Sequence, residues 1–178
     1  MRALFLDRDG VINVDTGYVH RKDEFEFIPG ILELAAWANQ CQYKVFIVTN
    51  QAGIGRGFYT ERDFSRLMDW VLQKFRDAGG PIEKVYFCPH HPDHGLGEYR
   101  QACTCRKPAP GLLLQAILDY GIDPGQSILV GDKKTDMEAG RAAGIGTLLY
   151  VGDETDYQPE VRIASPLDTI HYLHPVQK

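Results

Sequence analysis

No apolar run in this chain approaches the roughly 20 residues that a membrane-spanning helix needs. Ahead of Asp7 stand only Ala3, Leu4, Phe5 and Leu6, too few for the apolar core of a signal peptide. A membrane or secreted protein is therefore disfavoured, and the cytoplasm is the expected compartment. Positive charge is also in short supply: 19 Lys and Arg face 24 Asp and Glu, a formal net charge of −5. That balance argues against a general nucleic-acid or membrane-surface binder, so small molecules are the expected partners. Cysteine is sparse, with four among 178 residues. Two disulfides would use them in a secreted chain, but Cys88, Cys103 and Cys105 cluster with histidines while Cys41 sits apart at an expected helix end. Metal ligation accounts better for those three. There is no internal repeat, low-complexity tract or linker, and the length suits one domain over residues 1–178, expected to act as a monomer.

What is present is concentrated at the ends of apolar runs. Phe5-Leu6-Asp7-Arg8-Asp9-Gly10 is a strand-like run ending in two carboxylates one residue apart and a glycine. A buried strand would deliver Asp7 to a sheet edge, and a turn at Gly10 would swing Asp9 toward the same point. Alone, this would read as an ordinary turn. Similar runs at Ala3–Leu6, Val45–Val48, Val85–Phe87, Ile128–Val130 and Thr147–Val151 alternate with helix-like stretches, the pattern of an α/β fold with a doubly wound, mostly parallel sheet. A helix starts at Thr60, with Phe64, Leu67, Met68, Val71, Leu72 and Phe75 forming one buried stripe. Another runs from about Pro110 to Gly121, and a third from near Thr135 to before Gly144. Residues 10–30 and the stretch Cys88 to Cys105 fit neither pattern, and irregular stretches of that length are usually functional or held by a metal. The last twenty residues look like a strand and short helix closing the sheet edge.

Three more strand ends carry chemistry. Val45–Val48 leads into Thr49-Asn50-Gln51, a hydroxyl and an amide able to hold phosphate oxygens. Arg106-Lys107-Pro108 places two cations just ahead of a helix, a planar fork and a point charge. In Leu129-Val130-Gly131-Asp132, Gly131 permits a tight turn and Asp132 offers a hard oxygen to a cation such as Mg²⁺; Asp136 follows at i+4. Each has a bland reading as a capping turn or a solvated basic pair. Together, in this order, they resemble the four signatures of the haloacid-dehalogenase-like phosphatases, over residues 5 to 136.

The resemblance implies a Rossmann-like phosphatase without a separate cap domain. Asp7 would be the nucleophile that forms an aspartyl-phosphate, and Asp9 the general acid that protonates the leaving alcohol and then activates water. Mg²⁺ would be held by Asp7, the Asp9 backbone carbonyl and Asp132, with Thr49 and Lys107 stabilising the phosphoryl group. Asp136 would hold Lys107 or a metal-bound water.

Cys88-Pro89-His90 and Cys103-Thr104-Cys105 form Cys-x-His, twelve residues, Cys-x-Cys. Three thiolates and one imidazole match the ligand count of a closed, structural zinc site. A Cys103–Cys105 disulfide, or His91 or His94 in place of His90, are the competing readings. This clamped loop narrows the resemblance to two groups, the D-glycero-D-manno-heptose-1,7-bisphosphate 7-phosphatases and the histidinol-phosphate phosphatases. The segments Asp15-Thr16-Gly17-Tyr18-Val19-His20 and Thr49 to Gly57, with the long loop before Cys103, look like the heptose enzymes. In that group the segments matching Asp15, Thr16, Gly17 and Tyr18, and Thr49, Asn50, Gln51 and Ala52, contact the sugar phosphate, together with Arg8, Arg106, Lys107 and Lys133. A zinc-stabilised, non-catalytic interaction module would instead have lost catalytic carboxylates, yet Asp7, Asp9 and Asp132 are present. A nucleic-acid 3′-phosphatase would show a basic stripe, and none is evident.

Overall fold

A computed structural model describes residues 1–175. Its centre is a five-stranded sheet in the order β3-β2-β1-β4-β5, every neighbouring pair parallel. The strands are β1 Arg2–Leu6, β2 Tyr43–Asn50, β3 Ile82–Cys88, β4 Ile128–Gly131 and β5 Thr147–Tyr150. Side chains alternate across β1: Leu4 and Leu6 join the core on one face, Ala3 and Phe5 the core on the other. A strand buried on both faces must be apolar throughout, so the run reads as continuous. Beyond β3 the chain crosses back to the other side of β1, which makes the β1–β4 boundary the place where the order reverses. Ligands bind in such a crevice, outside the carboxyl ends of the strands.

Helices α1 (Ile31–Gln40) and α3 (Glu61–Asp77) cover one face, and α4 (Gly111–Tyr120) and α5 (Lys134–Ala142) the other; a single turn, α2 (Ala52–Gly55), follows β2. The expected start of α3 is a capping box, with Asp63 N donating to Thr60 Oγ1 and Thr60 N to Asp63 Oδ2. The stripe of Phe64, Leu67, Met68, Val71 and Phe75 is buried. α4 ends at Gly121, whose φ of 62° is the left-handed cap expected there.

Residues 10–30 and the stretch after Cys88 to Cys105 contain no helix or strand beyond short 3₁₀ turns, Lys22–Glu24 and Gly97–Tyr99, and isolated bridges at Asn13. The closing segment differs from expectation. It makes one isolated bridge, Arg162 beside Tyr150, and a 3₁₀ helix, Pro166–Tyr172, that packs on α1; no further strand forms among the described residues. The part of that segment beyond residue 175 lies outside the described residues. No helix among them is long and apolar enough to cross a membrane.

Candidate active site

β1 stops at Leu6 and the chain turns at once, because Gly10 adopts φ 90°, open mainly to glycine. The turn also needs Gly10 bare, since a Cβ there would lie 2.1 Å from Asp132 Oδ2. Asp7 is 5% exposed and accepts from Lys107 Nζ at 2.8 Å. Lys107 also donates to Val48 O at 2.9 Å and pairs with Asp136 Oδ1 at 2.6 Å. All three ammonium protons are thereby engaged. Burial alone would push the Lys107 pKa down, but Asp136 and Asp7 outweigh it and hold the ammonium above the usual lysine range.

The carboxylates show the reverse. Burial pushes Asp7 up against the pull of Lys107, and burial together with the charge of Asp7 pushes Asp132 up to about 8. Asp7, Asp132 and Asp136 bring ligand oxygens within 4.8 Å of one another. Asp136 spends both oxygens, one on Lys107 and the other accepting from Lys133 N at 3.0 Å. Asp132 Oδ1 is buried without a partner. An orphaned carboxylate oxygen beside a second buried carboxylate is costly unless a cation joins them. The residues therefore fit a hard divalent ion held by Asp7 and Asp132, with the Asp9 carbonyl in the turn that Gly10 packs against Asp132.

Asp9 is tethered at both oxygens. Oδ1 accepts from Arg8 Nε at 3.1 Å, Arg8 Nη2 at 2.5 Å and Asn13 Nδ2 at 3.1 Å; Oδ2 accepts from Gln51 Nε2 at 3.0 Å. Arg8 is fully buried and spends the rest of its guanidinium on Gln51 Oε1 and Val19 O. Its side chain thus faces Asp9 and not the cavity, a different placement from the substrate contact expected of it. Thr49 is also buried, its hydroxyl accepting from Gln51 Nε2 at 2.8 Å. Asn50 grips the main chain of Lys107 from both ends of its carboxamide, at 3.0 and 3.1 Å.

Above this floor opens a cavity of about 440 Å³. Of the residues nominated from sequence for catalysis, substrate or Mg²⁺, Asp7, Asp9, Asp15, Gly17, Tyr18, Asn50, Gln51, Ala52, Arg106, Lys107, Lys133 and Asp136 line it; Arg8, Thr16, Thr49 and Asp132 do not. Tyr59 and Thr135 line it as well, and Asn13 tethers Asp9 from behind. The spacing of Asn13 four residues after Asp9 was a usable signal, but Tyr59 had none. At the rim Lys133 Nζ meets Asp15 Oδ2 at 3.2 Å. Partial burial opposes ionisation of Asp15, yet the Gly17 N–H and Lys133 hold it below the usual carboxylate range.

Arg106 Nη1 donates to His90 O at 3.3 Å, linking the rim to the cysteine cluster. There Cys105 Sγ lies 3.0 Å from Cys88 Sγ, 3.3 Å from Cys103 Sγ and 3.4 Å from His90 Nδ1. Cys88 Sγ is 3.5 Å from Cys103 Sγ and 3.6 Å from His90 Nδ1. The four cysteines of the chain are free, so no disulfide joins Cys103 to Cys105. Zn–S bonds of about 2.3 Å set ligands roughly 3.8 Å apart, and this near-tetrahedron needs little expansion to hold a metal. His91 is turned elsewhere, its Nδ1 accepting from the backbone of Asp93 and His94. Burial raises the Cys88 thiol well above its usual range, so a cation is what would make thiolates tenable there.

A family model described as HAD-hydrolase-like matches residues 104–171. The chain is 55% identical to a D-glycero-alpha-D-manno-heptose-1,7-bisphosphate 7-phosphatase of Burkholderia mallei, over 97% of this chain and 93% of that protein. It is 46% identical to the D-glycero-beta-D-manno-heptose-1,7-bisphosphate 7-phosphatase of Vibrio cholerae, over 99% and 98% of the two chains. Among solved structures, a D,D-heptose 1,7-bisphosphate phosphatase from B. bronchiseptica, complexed with magnesium and phosphate, superposes with TM-score 0.85 at 30% identity. That match covers 97% of this chain and 98% of the other.

Proposed function

The chain belongs to the heptose-1,7-bisphosphate 7-phosphatase family of haloacid-dehalogenase-like hydrolases, and we propose that it hydrolyses the C7 phosphate of D-glycero-D-manno-heptose 1,7-bisphosphate in making nucleotide-activated heptose for surface glycans. The observation that carries this reading is the preformed Asp7–Lys107–Asp136 floor with Asp9 tethered beside it. Asp7 attacks phosphorus, forming an Asp7 Oδ–P bond as the P–O7 bond breaks, and Asp9 gives its proton to the departing O7. Water then attacks phosphorus, losing its proton to Asp9, and the bond to Asp7 breaks. Lys107 offsets charge on the phosphoryl oxygens. Thr49 serves the same purpose, its hydroxyl donating only a long bond of 3.5 Å to Asn50 O that gives way readily to a phosphoryl oxygen.

Asp7, Asp132 and the Asp9 carbonyl would hold Mg²⁺. Bound there, Mg²⁺ draws off negative charge so that an anionic nucleophile can approach a phosphate ester. Cys88, His90, Cys103 and Cys105 would hold a structural zinc, because four protein ligands leave no open position, and the loop they clamp carries His90 O, which accepts from Arg106. The second phosphate meets Arg106 and Lys133, and the sugar meets the segments 15–18 and 49–52. We read residues 1–178 as one domain acting as a cytoplasmic monomer; the net charge of −5 supports only the part of this reading that excludes nucleic-acid and membrane-surface partners.

The test is phosphate release across sugar mono- and bisphosphates, both C1 anomers of the heptose bisphosphate, and histidinol phosphate. Preference for the heptose bisphosphate is expected. Preference for histidinol phosphate would overturn the assignment.

A further inference from the structure

Gln51 joins four side chains of the site, and its orientation is forced by chemistry. Arg8 can only donate and an ionised Asp9 can only accept, so Oε1 must face Arg8 Nη1, at 3.3 Å, and Nε2 must face Asp9 Oδ2, at 3.0 Å. The stronger anchor on Oε1 is a third residue: Tyr59 donates its hydroxyl at 2.5 Å. Asp9 Oδ1 is meanwhile crowded by donors from Arg8 and Asn13. Oδ2 meets only Gln51 and is the oxygen left to carry the acid proton to the leaving group.

Tyr59 is built into its place. It is 6% exposed, and its ring lies so close to Gly53 that a Cβ there would come 2.3 Å from Cε1. On another side the His20 ring stacks on it, centroids 4.9 Å apart and planes 5° off parallel. Burial pushes its phenol up to about 12, so it remains a donor at working pH.

We propose that Tyr59 is a positioning residue for leaving-group protonation, acting through the Gln51 carboxamide to present Asp9 Oδ2 to the departing oxygen. The inference rests on the phosphatase reading of Asp7 and Asp9. Without the Tyr59 hydroxyl, Oε1 keeps only its longer bond to Arg8, and the carboxamide whose Nε2 end anchors Asp9 is held less firmly, by that bond and by Thr49 Oγ1 at 2.8 Å.

The leaving group provides the test, because kcat/KM spans the steps up to its departure. A heptose alkoxide needs the proton, whereas p-nitrophenolate leaves without one. Tyr59→Phe should lower the ratio of kcat/KM for heptose bisphosphate over p-nitrophenyl phosphate by about three- to tenfold, the effect of one misaligned general acid. Gly53→Ala, which displaces the ring but keeps the hydroxyl, should lower the same ratio and carries the test if Tyr59→Phe does not fold. In a Gln51→Met background Tyr59→Phe should add less than twofold, since both act on one bond. Equal losses on both esters, or additive losses in the double variant, would overturn the inference and leave the phosphatase reading standing. A wild-type chain inert toward both esters would overturn the two together.

Discussion

The site holds two lysines beside carboxylates, and they are held differently. Lys107, Asp7 and Asp136 have side chains 3%, 7% and 2% exposed, and every ammonium proton of Lys107 has a partner. Lys133 and Asp15 are 50% and 34% exposed and share one contact at 3.2 Å. The first set is complete before any ligand arrives, so its charges need no reorganisation when phosphate enters. The second is an ordinary surface pair worth about 0–1 kcal/mol, cheap to exchange for a ligand phosphate. On the proposed function, floor and rim would divide the labour, one for chemistry and the other for recognition.

Breaking the floor should cost most. Asp7→Asn should abolish turnover, since an amide cannot form the acyl-phosphate. Asp9→Asn should lose about 10² to 10⁴ in kcat, the worth of general acid–base help. Both are read by phosphate release with Mg²⁺ present, and near wild-type activity in either would end the covalent mechanism. Lys107→Ala leaves Asp7 and Asp136 buried without their counter-charge, and removing one partner of a buried pair costs about 3–5 kcal/mol. A large fall in Tm is expected there, against a small one for Lys133→Ala.

Arg106 bridges the two regions, being a rim cation steered by the cysteine loop through His90 O. Arg106→Ala should raise KM for the bisphosphate about ten- to hundredfold, the worth of a charge-assisted contact of about 1.5–3 kcal/mol, with kcat far less affected. A monophosphate should hardly notice. Metal analysis should find about one zinc per chain, and Cys103→Ser should reproduce the Arg106 defect by loosening the loop. A Cys103→Ser protein that is folded and fully active would separate the loop from the site.

The floor was legible in the sequence and the rim much less so, for a physical reason. Asp7, Lys107 and Asp132 each directly follow, or are placed by, a strand or helix whose apolar pattern is periodic, and sheet geometry then converges them. The direction of Arg8 was not legible because sequence gives residue type but not orientation; lying between two site carboxylates, its side chain turns inward to bind one of them. Tyr59 sits just ahead of α3 in a short non-periodic stretch, so only the packed structure shows its bond to Gln51. The closing segment was misread similarly: its single bridge to β5 depends on the long-range contact of Arg162 with Tyr150.

The floor also predicts how the metal-free protein responds to pH. Asp132 is raised to about 8 in the fold against an ordinary value near 3.9. Between those values the folded state holds a proton that the unfolded state has lost, so stability should fall as pH rises through that window. A cation that keeps the carboxylates ionised removes this dependence. With chelator present, Tm should therefore drop from about pH 5 to 8, and Mg²⁺ should flatten the curve, as should Asp132→Asn. An equal slope in Asp132→Asn and wild type would show that this carboxyl is not the source.

The smallest effect belongs to Asp15, and it sharpens the contrast most. Its Oδ1 accepts from Gly17 N at 3.0 Å while Oδ2 meets Lys133, so it both shapes the 15–18 turn and holds the lysine over the cavity. Asp15→Asn keeps the turn acceptor but drops the charge. Stability should change by no more than about 1 kcal/mol, as for an exposed pair. Because the Asp15 pKa lies below the usual range, the contribution it makes is present above that range and is lost only as pH falls through its folded value. Wild type and variant should therefore differ in Tm at pH 7 and converge in acid. With Lys133 no longer aimed, KM for the bisphosphate should rise about two- to fivefold while kcat stays within twofold. A fall in kcat as large as that of Asp9→Asn would place Asp15 in the floor and erase the division between the two regions.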